Sequence, residues 1–288
     1  MILITGATGG LGEATINALL KITPLSTIVA LVRNKDKAAE LEAKGIQVRM
    51  GDYDNYTSLV KAFEGIDKIL AISAAAFSNR ALQEINVINA AVQAGVKQLF
   101  FTSIQRNDTN NWVIPYVTEA NLEVEKYLEG SGLIYTILKN TLYADTLPFL
   151  LGQNAVNDGI RFPAGKGKVA FATREDLGEG IARLLLSDDY QNQAITLSNS
   201  RSWSFEDVAK ELSILALKPV AYHDVSKEEY VTLRTGQGVP PIAAKFGADW
   251  AEASKQGEFI EASPILEKLL GRKPETIKTY LKKAFFGN

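Results

Sequence analysis

The chain contains no cysteine and only one histidine, His223, among 288 residues. The first absence excludes disulfides, thiolate nucleophiles and cysteine metal sites, and the second leaves too little imidazole for a zinc site or a conventional histidine base. No metal is expected. Positive charge is not in excess either: the formal net charge is −2, so no basic field invites nucleic acid. No apolar run approaches the ~18 residues of a membrane span, and the N-terminus lacks the basic and apolar regions of a signal peptide. These absences lead to the expectation of a cytoplasmic protein with neither a membrane nor a nucleic-acid partner. In that compartment the sequons Asn55-Tyr56-Thr57 and Asn107-Asp108-Thr109 carry no meaning.

What is present is organised around the first twelve residues, MILITGATGGLG. An apolar, β-branched run over residues 2–5 reads as a buried strand. Gly6, Gly9 and Gly12 then make a tight turn into a helix that starts near Gly10. Free helix N–H groups and the positive end of the helix dipole bind anions, and glycines let the backbone approach a pyrophosphate closely. The spacing GxxGxxG, following a strand and opening an amphipathic helix, predicts a dinucleotide site.

Strands and helices alternate from there. Strands are expected near residues 27–32, 46–50, 68–72, 98–102 and 135–139. Helices are expected near 41–44 with Asn34 and Asp36 as caps, and near 56–63, 81–94 and 119–128. Such alternation predicts an α/β fold, a Rossmann-type doubly wound parallel sheet with a smaller mixed α/β C-terminal lobe. The division is placed at residues 1–145 for the dinucleotide-binding core and 146–288 for the substrate lobe, with some segments returning to the core. In the lobe, Gly165-Lys166-Gly167 reads as a hairpin turn joining 161–162 to 169–171. Thr173 with Asp176, and Ser204, read as helix caps.

The end of the second strand selects the dinucleotide. An NAD site usually offers a carboxylate there, whereas this chain has Arg33, with Lys37 one turn on, to meet a 2′-phosphate. NADPH is therefore the expected cofactor. Asp52 and Tyr53 follow the third strand and serve either the adenine edge or a turn and helix cap. The small residues 73–77, beginning Ser73-Ala74, suit a loop that the cofactor crosses. Thr102-Ser103 closes the fifth strand, where dehydrogenases often place a hydroxyl near the nicotinamide. Reductases of this fold often use Tyr-x-x-x-Lys on a helix, but the sole match, Tyr135 to Lys139, falls in a strand, where those side chains stand about 13 Å apart. Tyr116 has Ala120 at the lysine position. Residues 107–111 form a polar loop ahead of Trp112, read as a surface loop or a flap.

In order along the chain, ITGATGGLG, LVRN, MGDYDN, VINAAVQAGVKQLFFTS, GSGLIYTILKNTLYAD and AGKGKVAFATREDLGEGIA resemble the NmrA-like group of atypical short-chain dehydrogenases, in particular its bacterial quinone- and dye-reducing members. The resemblance implies NADPH held by Gly6, Thr8, Gly10, Leu11, Arg33 and the loop at Ser73-Ala74, with Asn140 and Tyr143 facing cofactor or substrate. It also implies a lysine or histidine where this chain has Asn121. Asparagine donates a hydrogen bond but cannot deliver a proton at neutral pH. Asn121 is then either a donor beside the reaction or a solvated helix residue; Asn121 and Tyr143 are the two catalytic candidates. Quinone reduction tolerates the exchange best, because hydride transfer leaves a stabilised hydroquinone anion that water protonates. The expected function is an NADPH-dependent oxidoreductase passing hydride to a quinone or similar flat acceptor such as a triphenylmethane dye. The alternative is an NADP(H)-binding redox sensor without turnover. A sugar-nucleotide epimerase is disfavoured by the missing helical Tyr-x-x-x-Lys pair. The expected partner is a small aromatic or quinone substrate, and a homodimer is compatible with this reading.

Overall fold

Continuous runs of aliphatic and β-branched residues, each ended by glycine or a polar turn, build the first of two units in the computed structural model, which describes residues 1–74, 79–107 and 112–287. That unit comprises Met1–Ile104, Tyr116–Asn140 and Arg174–Thr196. Its elements alternate as β1 (Ile2–Ile4), α1 (Gly10–Leu19), β2 (Ile28–Val32), α2 (Ala39–Ala43), β3 (Gln47–Met50), α3 (Tyr56–Phe63), β4 (Lys68–Ala71), α4 (Arg80–Gln93), β5 (Gln98–Ile104), α5 (Thr118–Glu129) and β6 (Ile134–Asn140). The chain then enters the second unit through α6 (Leu147–Leu151), α7 (Ala155–Asp158), β7 (Ile160–Arg161) and β8 (Lys168–Val169). It comes back to the first unit for α8 (Arg174–Leu185) and β9 (Gln193–Leu197).

The seven strands are ordered β3-β2-β1-β4-β5-β6-β9. The pairs from β3 to β6 are parallel. Asn192 N–H donates to Tyr135 O and Thr141 N–H to Leu197 O, so the β6 and β9 segments advance in the same direction too. One core cluster joins Leu3, Leu31, Ile69, Phe101 and Ile137 of the strands to Leu59 and Phe63 of α3, Val87 of α4 and Val124 of α5. The intervening residues Ile4, Ala30, Leu70 and Phe100 are also buried and, by the period of two along a strand, face the opposite side. Both faces are therefore covered, as a parallel sheet requires. The strand order reverses direction between β1 and β4, which puts the ligand crevice of such a sheet at their carboxyl ends.

The second unit, Gln105–Pro115, Thr141–Thr173 and Leu197–Asn288, is built differently. Its later elements are β10 (Trp203–Ser204), α9 (Phe205–Ala216), β11 (Tyr222–His223), α10 (Lys227–Gly236), α11 (Pro241–Lys255), α12 (Ile265–Leu270) and α13 (Ile277–Phe286). Ser204 caps α9 in a reciprocal capping box with Asp207. Phe162 packs on Phe205 at 4.6 Å and edge-on to Tyr230 at 5.3 Å between ring centres, forming an aromatic hub.

Two local expectations are corrected here. The Gly165–Gly167 segment is not a hairpin: β7 pairs in parallel with β11, and β8 pairs antiparallel with β10. A Cβ on Gly167 would stand 2.4 Å from Ser254 O, so the turn is packed against α11 rather than closing a ladder on itself. In the first unit, Asn34 Oδ1 accepts from Asp36 N–H ahead of a 3-10 turn at Lys35–Lys37, and α2 begins only at Ala39 behind Ala38. No helix among the described residues is long and apolar enough to cross a membrane.

Candidate functional site

The turn between β1 and α1 depends on glycine at particular points. Gly6 adopts φ +57, a left-handed conformation that side chains disfavour, and its O accepts Gly9 N–H at 2.9 Å. A Cβ on Gly12 would lie 2.3 Å from Gly6 O and 2.9 Å from Ala7 Cα, so the helix can seat on the turn only with hydrogen there. Thr8, Gly9 and Gly10 are exposed while Leu11 is buried. Gly9 occupies the N-cap and offers no side-chain acceptor, so the first amides of α1 face outward with the positive end of the helix dipole. Across the crevice, a Cβ on Gly6 would meet Ile72 Cβ at 3.2 Å, so the turns after β1 and β4 are in close approach.

Arg33 and Lys37 are both exposed beyond the end of β2, and Lys37 N–H donates to Asn34 O. Asp52 is engaged in its own turn: its Oδ1 accepts Asp54 N–H at 3.1 Å and its N–H donates to Ser58 Oγ at 3.0 Å. Tyr53 is a strut between strand ends. Its hydroxyl donates to Thr5 Oγ1 and contacts Ile72 O at 3.1 Å, while Thr5 Oγ1 accepts Ile72 N–H at 2.8 Å. Burial pushes the Tyr53 phenol well above its usual range, against the opposing pull of the Thr5 hydrogen bond, with the charges of Glu84 and Arg33 acting in opposite senses. Tyr53→Phe should lower stability by about 1–2 kcal/mol and melting by a few degrees, with dinucleotide affinity little changed. An unaltered melting curve would contradict the strut role.

At the ends of β4 and β5 a buried polar cluster fixes the next turn. Ser73 N–H donates to Thr102 Oγ1 at 2.9 Å, and Glu84 Oε1 accepts both the Ser73 hydroxyl at 2.8 Å and Ala74 N–H at 3.1 Å. Arg80 reaches Glu84 Oε1 through Nε at 3.2 Å, and through Nη2 it reaches Ser73 Oγ at 2.7 Å and Asn121 Oδ1 at 3.1 Å. Burial raises the Glu84 carboxyl above the usual range, countered by Arg80 and by the hydrogen bonds from Ser73, Ala74 and Arg80. Asn121 is 1% exposed, which corrects its reading as a solvated helix residue. Its Nδ2 is buried without a hydrogen-bond partner among the described residues. Thr102 and Ser103 do not close their strand, because β5 runs on to Ile104. Both are buried, and the Ser103 hydroxyl donates to Glu125 Oε1.

Lys139 and Asn140 lie beside Ser103 and Ile104 in the β5–β6 register, and Asn140 is buried. Tyr135 and Lys139 both sit on β6, so the strand reading of that pair stands. Tyr116 precedes α5 with φ +64 and is largely exposed. Tyr143 belongs to the second unit, where it bridges to Ala172 and precedes the 3-10 turn Ala144–Thr146. His223 is exposed on β11 in that unit as well. Residues 75–77 of the small-residue loop and 108–111 of the polar loop lie outside the described residues. Among the described residues no group of acids and histidine could hold a metal.

Sequence reasoning missed three side chains. Arg80 and Glu84 stand on α4 and carry no motif of their own; their reach to Ser73 and Asn121 gives them a role. Arg174 opens α8 and crosses the N-terminus of α1, where a Cβ on Gly10 would meet its Cδ at 2.9 Å.

The NmrA-like family matches residues 1–281 of the chain. Quinone oxidoreductase 2 of Escherichia coli (strain K12) is 36% identical over 278 residues, with 96% of each protein covered. The structure of Citrobacter sp. triphenylmethane reductase complexed with NADP(H) has a TM-score of 0.91 at 34% identity, covering 99% of this chain and 100% of that one. The NADPH-dependent quinone oxidoreductase of Escherichia coli complexed with NADPH has a TM-score of 0.90 at 35% identity, with the same coverage.

Proposed function

The chain belongs to the NmrA-like family, and on that premise we infer that it is an NADPH-dependent reductase that passes hydride to a quinone or a similar flat, conjugated acceptor such as a triphenylmethane dye. The observation that carries this reading is a complete glycine turn, with Arg33 at the end of β2 where an NAD site would offer a carboxylate.

The residues present fit the cofactor. Gly9 and Gly10 are exposed at the start of α1, with the stem of Arg174 lying along Gly10, and Gly12 closes the turn beneath them. The amides of Gly10 and Leu11 are proposed to take the diphosphate, with Gly6 and Thr8 shaping the turn and Arg33 and Lys37 meeting the 2′-phosphate. Asp52 would border the adenine end; Ser73 and Ala74, held by Glu84 and Thr102, would border the ribose. Asn140, at the end of β6, would face the reacting end. Bound there, NADPH supplies the hydride.

The protein then contributes binding and orientation rather than acid and base. Asn121 keeps its Oδ1 on Arg80 and has no proton to deliver. A reduced quinone needs none at that moment, since its anion takes a proton from water. The kcat for quinone reduction should therefore run flat from about pH 6 to pH 9, without the acid and base limbs of a positioned donor. A bell-shaped profile would contradict the account. The reaction type itself is tested with NADPH deuterated at the transferred position and a triphenylmethane dye. Deuterium on the central carbon of the leuco dye, with a slowed rate, is the expected result; a reduced dye without deuterium would overturn hydride transfer.

A further inference from the structure

Helices α1 and α8 run parallel with their starts side by side. Arg174 lies against Gly10, and Gly178 lies against Ala14, four residues further along each helix. The approach is close: a Cβ on Gly178 would stand 2.7 Å from Ala14 C and from Thr15 N. Two positive helix ends are therefore brought together at the glycine turn.

Into this field the chain puts another positive charge. Arg174 is the first residue of α8, and its stem lies along Gly10, with Cδ at 2.9 Å, Nε at 3.4 Å and Cζ at 3.8 Å from the place a Cβ would take. Acids are the favoured residues at helix starts, and Glu13, Glu175 and Asp176 follow that rule in the first turns of the two helices. Arg174 departs from that rule and adds its charge at the start of the two helices. Gly10 has the complementary requirement, because any side chain at that position would displace the arginine stem.

We propose that Arg174 clamps the diphosphate of the dinucleotide, a role separate from that of Arg33. The proposal rests on the reading of the β1–α1 turn as the NADPH site. Arg33 acts on the 2′-phosphate and so distinguishes NADPH from NADH; Arg174 acts on the group that the two share and so holds both alike. The guanidinium offers several donors in a fixed plane, which suits two neighbouring phosphate oxygens better than an ammonium does.

The test is a binding titration, without acceptor, of wild type, Arg174→Gln, Arg174→Lys and Arg33→Asp with NADPH, NADH and adenosine 2′-monophosphate, which lacks the diphosphate. Arg174→Gln should weaken NADPH and NADH by the same factor, about 10- to 100-fold, and leave adenosine 2′-monophosphate unchanged. Arg174→Lys should recover part of the loss and serves if the glutamine variant folds poorly. Unchanged binding of both dinucleotides to the Arg174 variants would overturn the proposal, as would a loss confined to NADPH or a loss shared by adenosine 2′-monophosphate. A wild type that binds neither dinucleotide would instead overturn the cofactor reading itself, so the two failures are distinguishable.

Discussion

Arg33→Asp should weaken NADPH binding by roughly 100-fold while leaving NADH within a few-fold of wild type. The argument is electrostatic and local. Arg33 is exposed just beyond Val32, the last residue of β2, with Lys37 beside it on the following 3-10 turn. Replacing the guanidinium by a carboxylate removes a charge-assisted contact to the 2′-phosphate and adds repulsion. The same carboxylate is the usual partner of a free ribose 2′-hydroxyl, so NADH loses little or gains. Competition titrations with the two dinucleotides read the ratio directly. Equal losses for both would remove Arg33 from the 2′-phosphate and leave the preference for NADPH without a structural cause.

Gly12→Ala should be the most damaging single methyl in the first unit. The added carbon would meet Gly6 O at 2.3 Å and Ala7 Cα at 2.9 Å, and both are backbone atoms that cannot swing aside. Relief requires lifting α1 from the turn, at about 3–4 kcal/mol and roughly 10 °C in melting temperature, and dinucleotide binding should be lost with it. Gly9→Ala is the matched control: its Cβ would stand 3.3 Å from the same oxygen, which a small adjustment accommodates, so its stability cost should stay below about 1 kcal/mol. Equal melting of the two variants would contradict the close seating of the helix.

The first unit was legible because its signals are local. A strand buried on both faces is a continuous apolar run, and a helix that follows a glycine turn carries its own start signal, so β1, α1, β2, α3 and β4 fall within a residue or so of where the sequence puts them. The second unit defeated the hairpin reading, since its two-residue strands take partners far along the chain. Ile160 pairs with Tyr222 and Val169 with Trp203, and no turn signal announces such pairings.

The site divides in the same way. The shape of the glycine turn, the exposed place of Arg33 after β2 and the strand placement of Tyr135 and Lys139 could be read from spacing alone. The buried place of Asn121 could not, because the Arg80 that donates to its Oδ1 arrives from another helix. Arg174 was hidden for a similar reason: in sequence it opens a helix, and only the parallel seating of α8 on α1 brings it to Gly10. The hydroxyls of Thr102 and Ser103 looked like a strand end, but β5 runs on to Ile104 and both are internal ties of the fold.

The most direct test of the central claim is oxidation of NADPH, supplied in large excess over the protein, with a quinone as acceptor. The account predicts many equivalents of NADPH consumed per protein, in step with the hydroquinone formed, and slower consumption of NADH. Tight binding of NADPH with no more than one equivalent consumed, across a panel of quinones and triphenylmethane dyes, would contradict it and would leave a protein that senses the dinucleotide without turning it over.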